Sequence, residues 1–372
     1  MIPAPRARHP RFHLVLLSAA VLALSGCRGQ PEGPVERQAQ AQAEPAAWVA
    51  PLDAAVSRID EAMPGDFGVY VSRFGTDAGT LDRGDDRVWY LSSTIKVPVA
   101  IAVLEAVDGG RMALDDELAL SRDDFVDGAG DMLQHAPGTR FSIATLLGKS
   151  LRDSDSTATD MLIRHIGEDH LNARIGDWVG TGFGPVTTIL QVRYDVYGPM
   201  HPGVAALDNM QIVALRNAET GEPRLQALAR TLGVARSELR ADSLQQAFDA
   251  YYRTGTNAAT LPAFARMLER LVAGDLLSPD STALLLSHMR AITTGGSRIG
   301  AGLPTDSDFA QKTGTQFSRA CNVGILEAER GEAGATVVVA CAEDFDELAQ
   351  AETAFQALGR ALGGMAGTVA AR

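Results

Sequence analysis

Positive charge is in short supply in this chain: 33 lysines and arginines stand against 46 aspartates and glutamates, a formal net charge of -13 over 372 residues. A body this acidic is not steered toward phosphate backbones, and no basic stripe offsets it, so nucleic acid is excluded as a partner. Long apolar runs are scarce too. One occupies residues 12–26, and no second segment is long enough to cross a bilayer. Internal repeats are absent, which removes solenoid and propeller architectures. His165 and His170, in "RHIGEDH", lack metal-ligand spacing and read as helix-end residues, so neither a metal nor any other cofactor is implied. What remains is ordinary globular composition, 46% hydrophobic and 21% charged. It can bury a large core in one large domain or two.

The one long apolar run is a targeting segment. Arg6, Arg8 and Arg11 precede "FHLVLLSAAVLALSG", which is too short and wrongly flanked for a spanning helix. Its end, "LSGC" at 24–27, resembles the lipobox of bacterial lipoproteins, with Cys27 as the lipidated residue. Residues 1–26 are then a lipoprotein signal peptide and 27–49 a polar, Pro/Gln/Ala-rich tether. The alternative is an ordinary signal peptide with an incidental cysteine. The lipobox resemblance implies a bacterial envelope protein anchored by lipid and facing the periplasm. Arg28 after the cysteine, rather than aspartate, points to the outer membrane.

From residue 50 onward the periodicity describes a folded domain. Leu52, Val56, Ile59 and Met63 have the spacing of an amphipathic helix. "FGVYVSRF" (67–74) and "RVWYLS" (87–92) read as strands around a Gly/Asp-rich turn. Residues from about 93 to 290 are mostly helical. Three strands follow, at 309–316, 320–326 and 335–342, with a turn at 327–334 and a closing helix around 344–362. Strands and helices at both ends can meet in one sheet with the terminal helices packed on it. Residues 187–257, with Pro199, Pro202 and Pro223, read as an extended loop insertion or cap.

Candidate chemistry begins at "SSTIKVPVA" (92–100). Lysine in an apolar helical run costs desolvation energy unless it has a partner. Ser93 lies three residues before Lys96, on the same helix face and one turn away, whereas Ser92 shares its face with Ile95. A serine at a helix start becomes a nucleophile when a base is near, and a desolvated lysine amine can be that base. Read alone, Ser93 is as well explained as a helix cap and Lys96 as a snorkelling side chain.

Two further segments change this reading. "LRDSDSTATDMLI" sets Ser154, Asp155 and Ser156 before an apolar helix, and "FAQKTGTQ" sets Lys312, Thr313 and Gly314 on a strand. The order S-x-x-K, S-D, K-T-G is that of class A β-lactamases and penicillin-binding proteins. The chain therefore resembles the class A β-lactamase-like serine hydrolases over about residues 50–366, including "LSPDSTALLLSHM", "TGGSRIGAGLP" and "KTGT" in family order. The resemblance implies an α/β (α+β) fold of the serine β-lactamase/transpeptidase type. That fold has an antiparallel sheet with flanking terminal helices and an inserted all-helical region. Residues 50–372 become its catalytic domain.

The resemblance also implies roles. Ser93 is the nucleophile and Lys96 its base, directly or through water; Ser154 relays the proton to the leaving nitrogen. Asp155 braces the loop. Lys312 orients Ser154 and attracts a substrate carboxylate, which the Thr313 and Thr315 hydroxyls bind. The N–H groups of Ser93 and Thr315 form the oxyanion hole, and Gly314 admits substrate close to the strand. The substrate class is a β-lactam or a peptidoglycan-derived amide.

Two departures from the family pattern stand out. Ser156 replaces the asparagine of the second motif, with a shorter reach and one donor. The glutamate that activates the deacylating water in class A enzymes has no counterpart in "TTILQVRYDVYGPM" (187–200). Asp195 is the nearest substitute there, or else a solvent-facing aspartate. Arg319 is placed to face a substrate carboxylate, or to be a solvated strand-end residue. Cys321 and Cys341 lie equally far from Gly331, so a hairpin turning there joins them in a cross-strand disulfide. A register shift of one residue leaves them as two reduced core thiols. The leading function is serine hydrolysis of β-lactam or related amides, with slow deacylation. The rivals are a penicillin-binding protein or peptidase of cell-wall peptides, and a non-enzymatic tethered binding protein.

Overall fold

The computed structural model describes residues 45–369 apart from Asp85; the leader, Cys27 and most of the tether lie outside the described residues. Order begins before residue 50, in the stretch read as tether. Trp48 is buried and its indole N–H donates to Asp77 O at 2.9 Å.

Helix α1 (Val49–Ala62) leads into β1 (Asp66–Arg73) and β2 (Gly79–Arg83). A two-residue strand β3 (Trp89–Tyr90) precedes a 3-10 turn at Ser92–Ile95 and helix α2 (Lys96–Asp108). A small hairpin of β4 (Glu117–Ala119) and β5 (Arg140–Ser142) opens onto α3 (Ile143–Leu151), α4 (Ser156–Ile166) and α5 (Glu168–Val179). Next come α6 (Ile189–Tyr197), α7 (Asn209–Ala214), α8 (Glu222–Leu232) and α9 (Leu244–Tyr252). Strand β6 (Ala258–Ala259) pairs with β3, and α10 (Leu261–Val272), α11 (Pro279–Arg290) and α12 (Ile299–Gly302) follow. The chain closes with β7 (Phe309–Gln316), β8 (Arg319–Leu326), β9 (Thr336–Glu343) and α13 (Leu348–Val369).

The main sheet has the order β2-β1-β9-β8-β7 and is antiparallel throughout. First and last strands of the chain thus pair in its middle. All eight residues of β9 are buried, because the sheet is covered on both faces. Val338, Ala340 and Ala342 join the core under α1 and α13; Val337, Val339 and Cys341 join the larger core under the helical block. At the centre of that block is α2. From Val97 to Leu104 it is apolar on every side and buried throughout, so that Lys96 at its start is the exception.

Three sequence expectations need correction. The partner of β1 in the turn region is Gly79–Arg83, not 87–92. With only Leu81 buried, this charged edge strand carries little apolar signal. Residues 87–92 yield just β3, outside the main sheet.

Residues 187–257 are no extended loop: α6–α9 and the short turns between them enclose a separate core, built on Val196, Tyr197, Leu225, Leu228, Leu244 and Phe248. Each of its prolines sits in the first or second position of a helical turn, where the missing N–H costs nothing. These prolines start helices.

Candidate active site

A cleft of about 270 Å³ lies between β7, the Ser92–Ile95 turn, the start of α4, and α6. Ser93, Ser154, Ser156, Thr313 and Thr315 all line it. Each is delivered by a local device. Ser92 holds φ at +49° and Ser154 at +56°, so both serine turns carry a strained backbone that the surrounding packing must enforce. The Asp155 carboxylate accepts the Ala158 N–H, capping α4, and the Met132 N–H, each at 2.9 Å. It thereby fixes the turn that carries Ser154 and Ser156. Burial raises its pKa, against the pull of those two bonds.

Gly314 has a reason other than the one expected. A Cβ built there would lie 2.6 Å from Leu91 O and 2.8 Å from Ser93 N. What the glycine admits is the chain's own Ser92–Ile95 turn, pressed against the free edge of β7. Ser93 and Thr315 thereby line one cleft.

Behind this wall two fully buried lysines converge on one hydroxyl. Lys312 Nζ donates to Ser154 Oγ at 2.9 Å, and Lys96 Nζ reaches the same oxygen at 3.3 Å. Lys96 also donates to Ser154 O at 2.5 Å and to Ser156 Oγ at 3.5 Å. Its side-chain hydrogen bonds go to the second motif rather than to Ser93, which it meets through the backbone: the Lys96 N–H donates to Ser93 O.

Burial lowers the Lys96 pKa to about 8, with Asp155 and Asp160 opposing the shift. Burial, then the charges of Lys96 and Arg298, hold Lys312 well below the ordinary lysine value. Two ammonium groups around one oxygen disfavour each other, so this pair gives up a proton more readily than ordinary lysines do. Two buried amines that share one hydroxyl, with Ser93 on the same cleft, are an arrangement able to pass protons.

The model of the Beta-lactamase enzyme family matches residues 51–185 and 208–365. The chain belongs to this family. A β-lactamase of Mycobacterium tuberculosis is 27% identical over 326 residues, covering 86% of each chain. Among solved structures, a β-lactamase from Chitinophaga pinensis superposes with TM-score 0.63 at 19% identity, over 85% of this chain and 99% of that one. A variant of PBP-A, captured as an acyl-enzyme complex with penicillin G, gives TM-score 0.61 at 20% identity, over 86% and 97%. The fold is that of β-lactamases and penicillin-binding proteins.

Within this family frame two expected residues fall elsewhere. Asp195 does not line the cleft; it is half-buried on α6, accepting from Gln191 Nε2 at 2.8 Å. One helical turn separates the residues that α6 gives to the cleft (Ile189, Val192, Arg193), and Asp195 is not on that face. Arg319 is neither substrate-facing nor solvated. It is buried, bonded to Asp344 Oδ1 at 2.7 Å, and stacked 4.6 Å from the Tyr252 ring centre.

Cys321 and Cys341 face each other across β8 and β9 and are joined as a disulfide. Among the described residues, no group of histidine, cysteine and carboxylate side chains is placed to hold a metal.

Sequence reading missed three residues. Arg298 is buried beside the K-T-G strand, donating to Gly314 O and Cys321 O at 2.7 Å and to Thr315 Oγ1 at 2.5 Å. Burial lowers its pKa to about 10, so it remains charged. It gives the Thr313–Thr315 end of the cleft a fixed cation. Asp160, fully buried on α4, accepts the Ile189 and Leu190 N–H groups at 2.7 and 2.8 Å and so holds the start of α6. Burial raises its pKa to about 6. Arg193, on α6, lines the opposite wall. A charged residue inside an apolar helical stretch was the available signal for Asp160, as it had been for Lys96.

Proposed function

We propose that this protein opens β-lactam or related amide bonds through an acyl-serine intermediate on Ser93, and that the intermediate is released slowly. The observation that carries the reading is the Ser154 hydroxyl shared by Lys96 and Lys312 beside Ser93. Ser93 Oγ attacks the carbonyl carbon while its proton passes to neutral Lys96. The oxygen that gains charge takes hydrogen bonds from the Ser93 and Thr315 amides, one such donor being worth about 2.7–4 kcal/mol in the transition state. Ser154 then gives its proton to the leaving nitrogen and recovers one from the lysines. Thr313, Thr315 and Arg298 hold the substrate carboxylate.

Slow release follows from what the cleft presents to a water molecule. The only carboxylate among its described lining residues is Glu352, on α13 beside Arg298. The segment that follows the second motif contributes Ile189, Val192 and Arg193 instead. Lacking a general base costs about 10²–10⁴-fold in rate. The same feature favours a second reading, a penicillin-binding protein acting on cell-wall peptides, for which a lasting adduct with penicillins is an expected side reaction. Both readings suit an envelope lipoprotein anchored through Cys27.

Intact-mass measurement after mixing with a penicillin tests the proposal. The expected result is a persistent gain of one β-lactam mass, absent from Ser93→Ala. Rapid multiple turnover without an adduct would overturn slow release. If no penicillin or cephalosporin tried either forms an adduct or is turned over, the β-lactam assignment and the penicillin-binding reading both fall, and another amide is the substrate.

A further inference from the structure

Arg193 is a cleft-lining cation to which the chemistry above gives no task. It lies in residues 186–207, which the family model leaves unmatched. Its backbone is fixed: Asp160 holds the first two N–H groups of α6, and Thr188 Oγ1 accepts the Gln191 N–H at 3.2 Å. From there the side chain crosses to the facing loop, where Nε donates to Asp127 Oδ1 at 2.6 Å. A guanidinium carries five N–H donors, and that is its one hydrogen bond among the described residues; the Nη1 atom is buried without a partner. Because Arg193 itself lines the cleft, donors that the protein leaves over on its guanidinium are a place for a ligand to bind.

The position of Arg193 separates it from the other cation of the cleft. Gly128, Ala129, Ser156 and Ile189 share its side of the wall, while Arg298 sits with Thr313 and Thr315 on the β7 side. The electrostatic couplings run in the same order. The charge of Arg193 acts on Lys96, and those of Lys96 and Arg298 act on Lys312. Burial opposes the charge of Arg193, but Asp127 outweighs it and holds its pKa above the ordinary arginine value. One anion, the substrate carboxylate, satisfies the Arg298 end. At the Arg193 end Asp127 takes only the Nε donor, which leaves N–H groups for a second.

We propose that Arg193 is a specificity-determining residue that binds a second carboxylate on the acyl side of the substrate, so that the cleft selects dianionic amides. This rests on the acyl-serine reading above. Candidate substrates are then β-lactams with a carboxylate on the acyl side chain, or peptides with an acidic residue on the acyl side of the scissile bond.

Benzylpenicillin and α-carboxybenzylpenicillin, which differ by one carboxylate, supply the test. The second-order rate constant for adduct formation at Ser93 is measured for both on the full chain, on Arg193→Gln and Arg193→Lys, and on Asp127→Asn, with melting temperatures as a folding check. The wild type is expected to favour the dianion. The dianion/monoanion ratio should fall about 10- to 100-fold in Arg193→Gln, recover in part in Arg193→Lys, and rise in Asp127→Asn, where the competing carboxylate is gone.

Losses of equal size for both penicillins, or an unchanged ratio, would overturn the proposal and leave Arg193 as a strut between α6 and the Asp127 loop. If Arg193→Gln does not fold, an Asp127→Asn ratio equal to that of the wild type overturns it. Binding of both compounds to Ser93→Ala separates the two failures. A dianion preference there, with no adduct on the wild type, would sink the acyl-serine reading and keep the role of Arg193. No preference would sink the role of Arg193 alone.

Discussion

Lys312 and Ser154 are joined behind the cleft wall: Nζ of one donates to Oγ of the other at 2.9 Å, linking an edge strand to the turn before α4. The bond does more than tie two elements. It orients a hydroxyl that Lys96 also touches, so that one oxygen bridges both amines.

Removal of that hydroxyl should be felt in acylation. Ser154→Ala leaves two buried amines without their shared partner and is expected to slow adduct formation by about 10²–10⁴-fold. Ser93→Ala should abolish the adduct, whereas Ser92→Ala should keep it. Asp195→Asn should alter neither formation nor release, because the side chain lies off the cleft. Stopped-flow acylation followed by mass measurement checks all four.

Acylation should accelerate as pH rises through about 8. Burial brings Lys96 to that value from the ordinary 10.5, and the amine is a base only when neutral, above its pKa. The rate constant should rise up to tenfold per pH unit below 8 and level off above it. A flat profile from pH 6 to 9 would exclude Lys96 as the base.

The Cys321–Cys341 disulfide closes a separation of 20 residues next to the K-T-G strand. Replacing both cysteines by serine should cost about 2–4 kcal/mol of stability, read as a lowered midpoint in chemical denaturation. Denatured, unreduced protein should yield no free thiol from either position. Two such thiols would show that the bridge does not form in the cell.

Membrane attachment should depend on one residue of the leader. Cys27→Ser is expected to move the protein from the membrane fraction to the soluble one. Among the described residues no helix is long and apolar enough to cross a membrane. A variant that still sediments with membranes would place the anchor elsewhere.

The three motifs, the two outer layers of helix and the strands 309–343 could be read from residue order alone. Each rests on local spacing: a lysine one turn after a serine, an aspartate capping an apolar helix, a glycine between two threonines on a strand. The register that joins Cys321 to Cys341 was likewise readable from a single turn at Gly331, although only pairing could exclude the one-residue slip.

Tertiary structure decided the rest, for reasons of distance and burial. That 187–257 is a helical cap follows from a core of its own, which short helices acquire only by packing on one another. Whether Asp195 or Arg193 lines the cleft depends on how α6 is rotated, and Asp160, set on another helix, holds the start of α6. Arg298 and Arg319 are both buried arginines near the K-T-G strand, and nothing in their neighbours tells them apart. One finds carboxylates and an aromatic ring around it; the other finds backbone carbonyls and a threonine at the cleft. Sequence determined which chemistry this protein can carry; only the folded arrangement decided which charges face the substrate, because the field at a site is summed over residues that the chain brings together from afar.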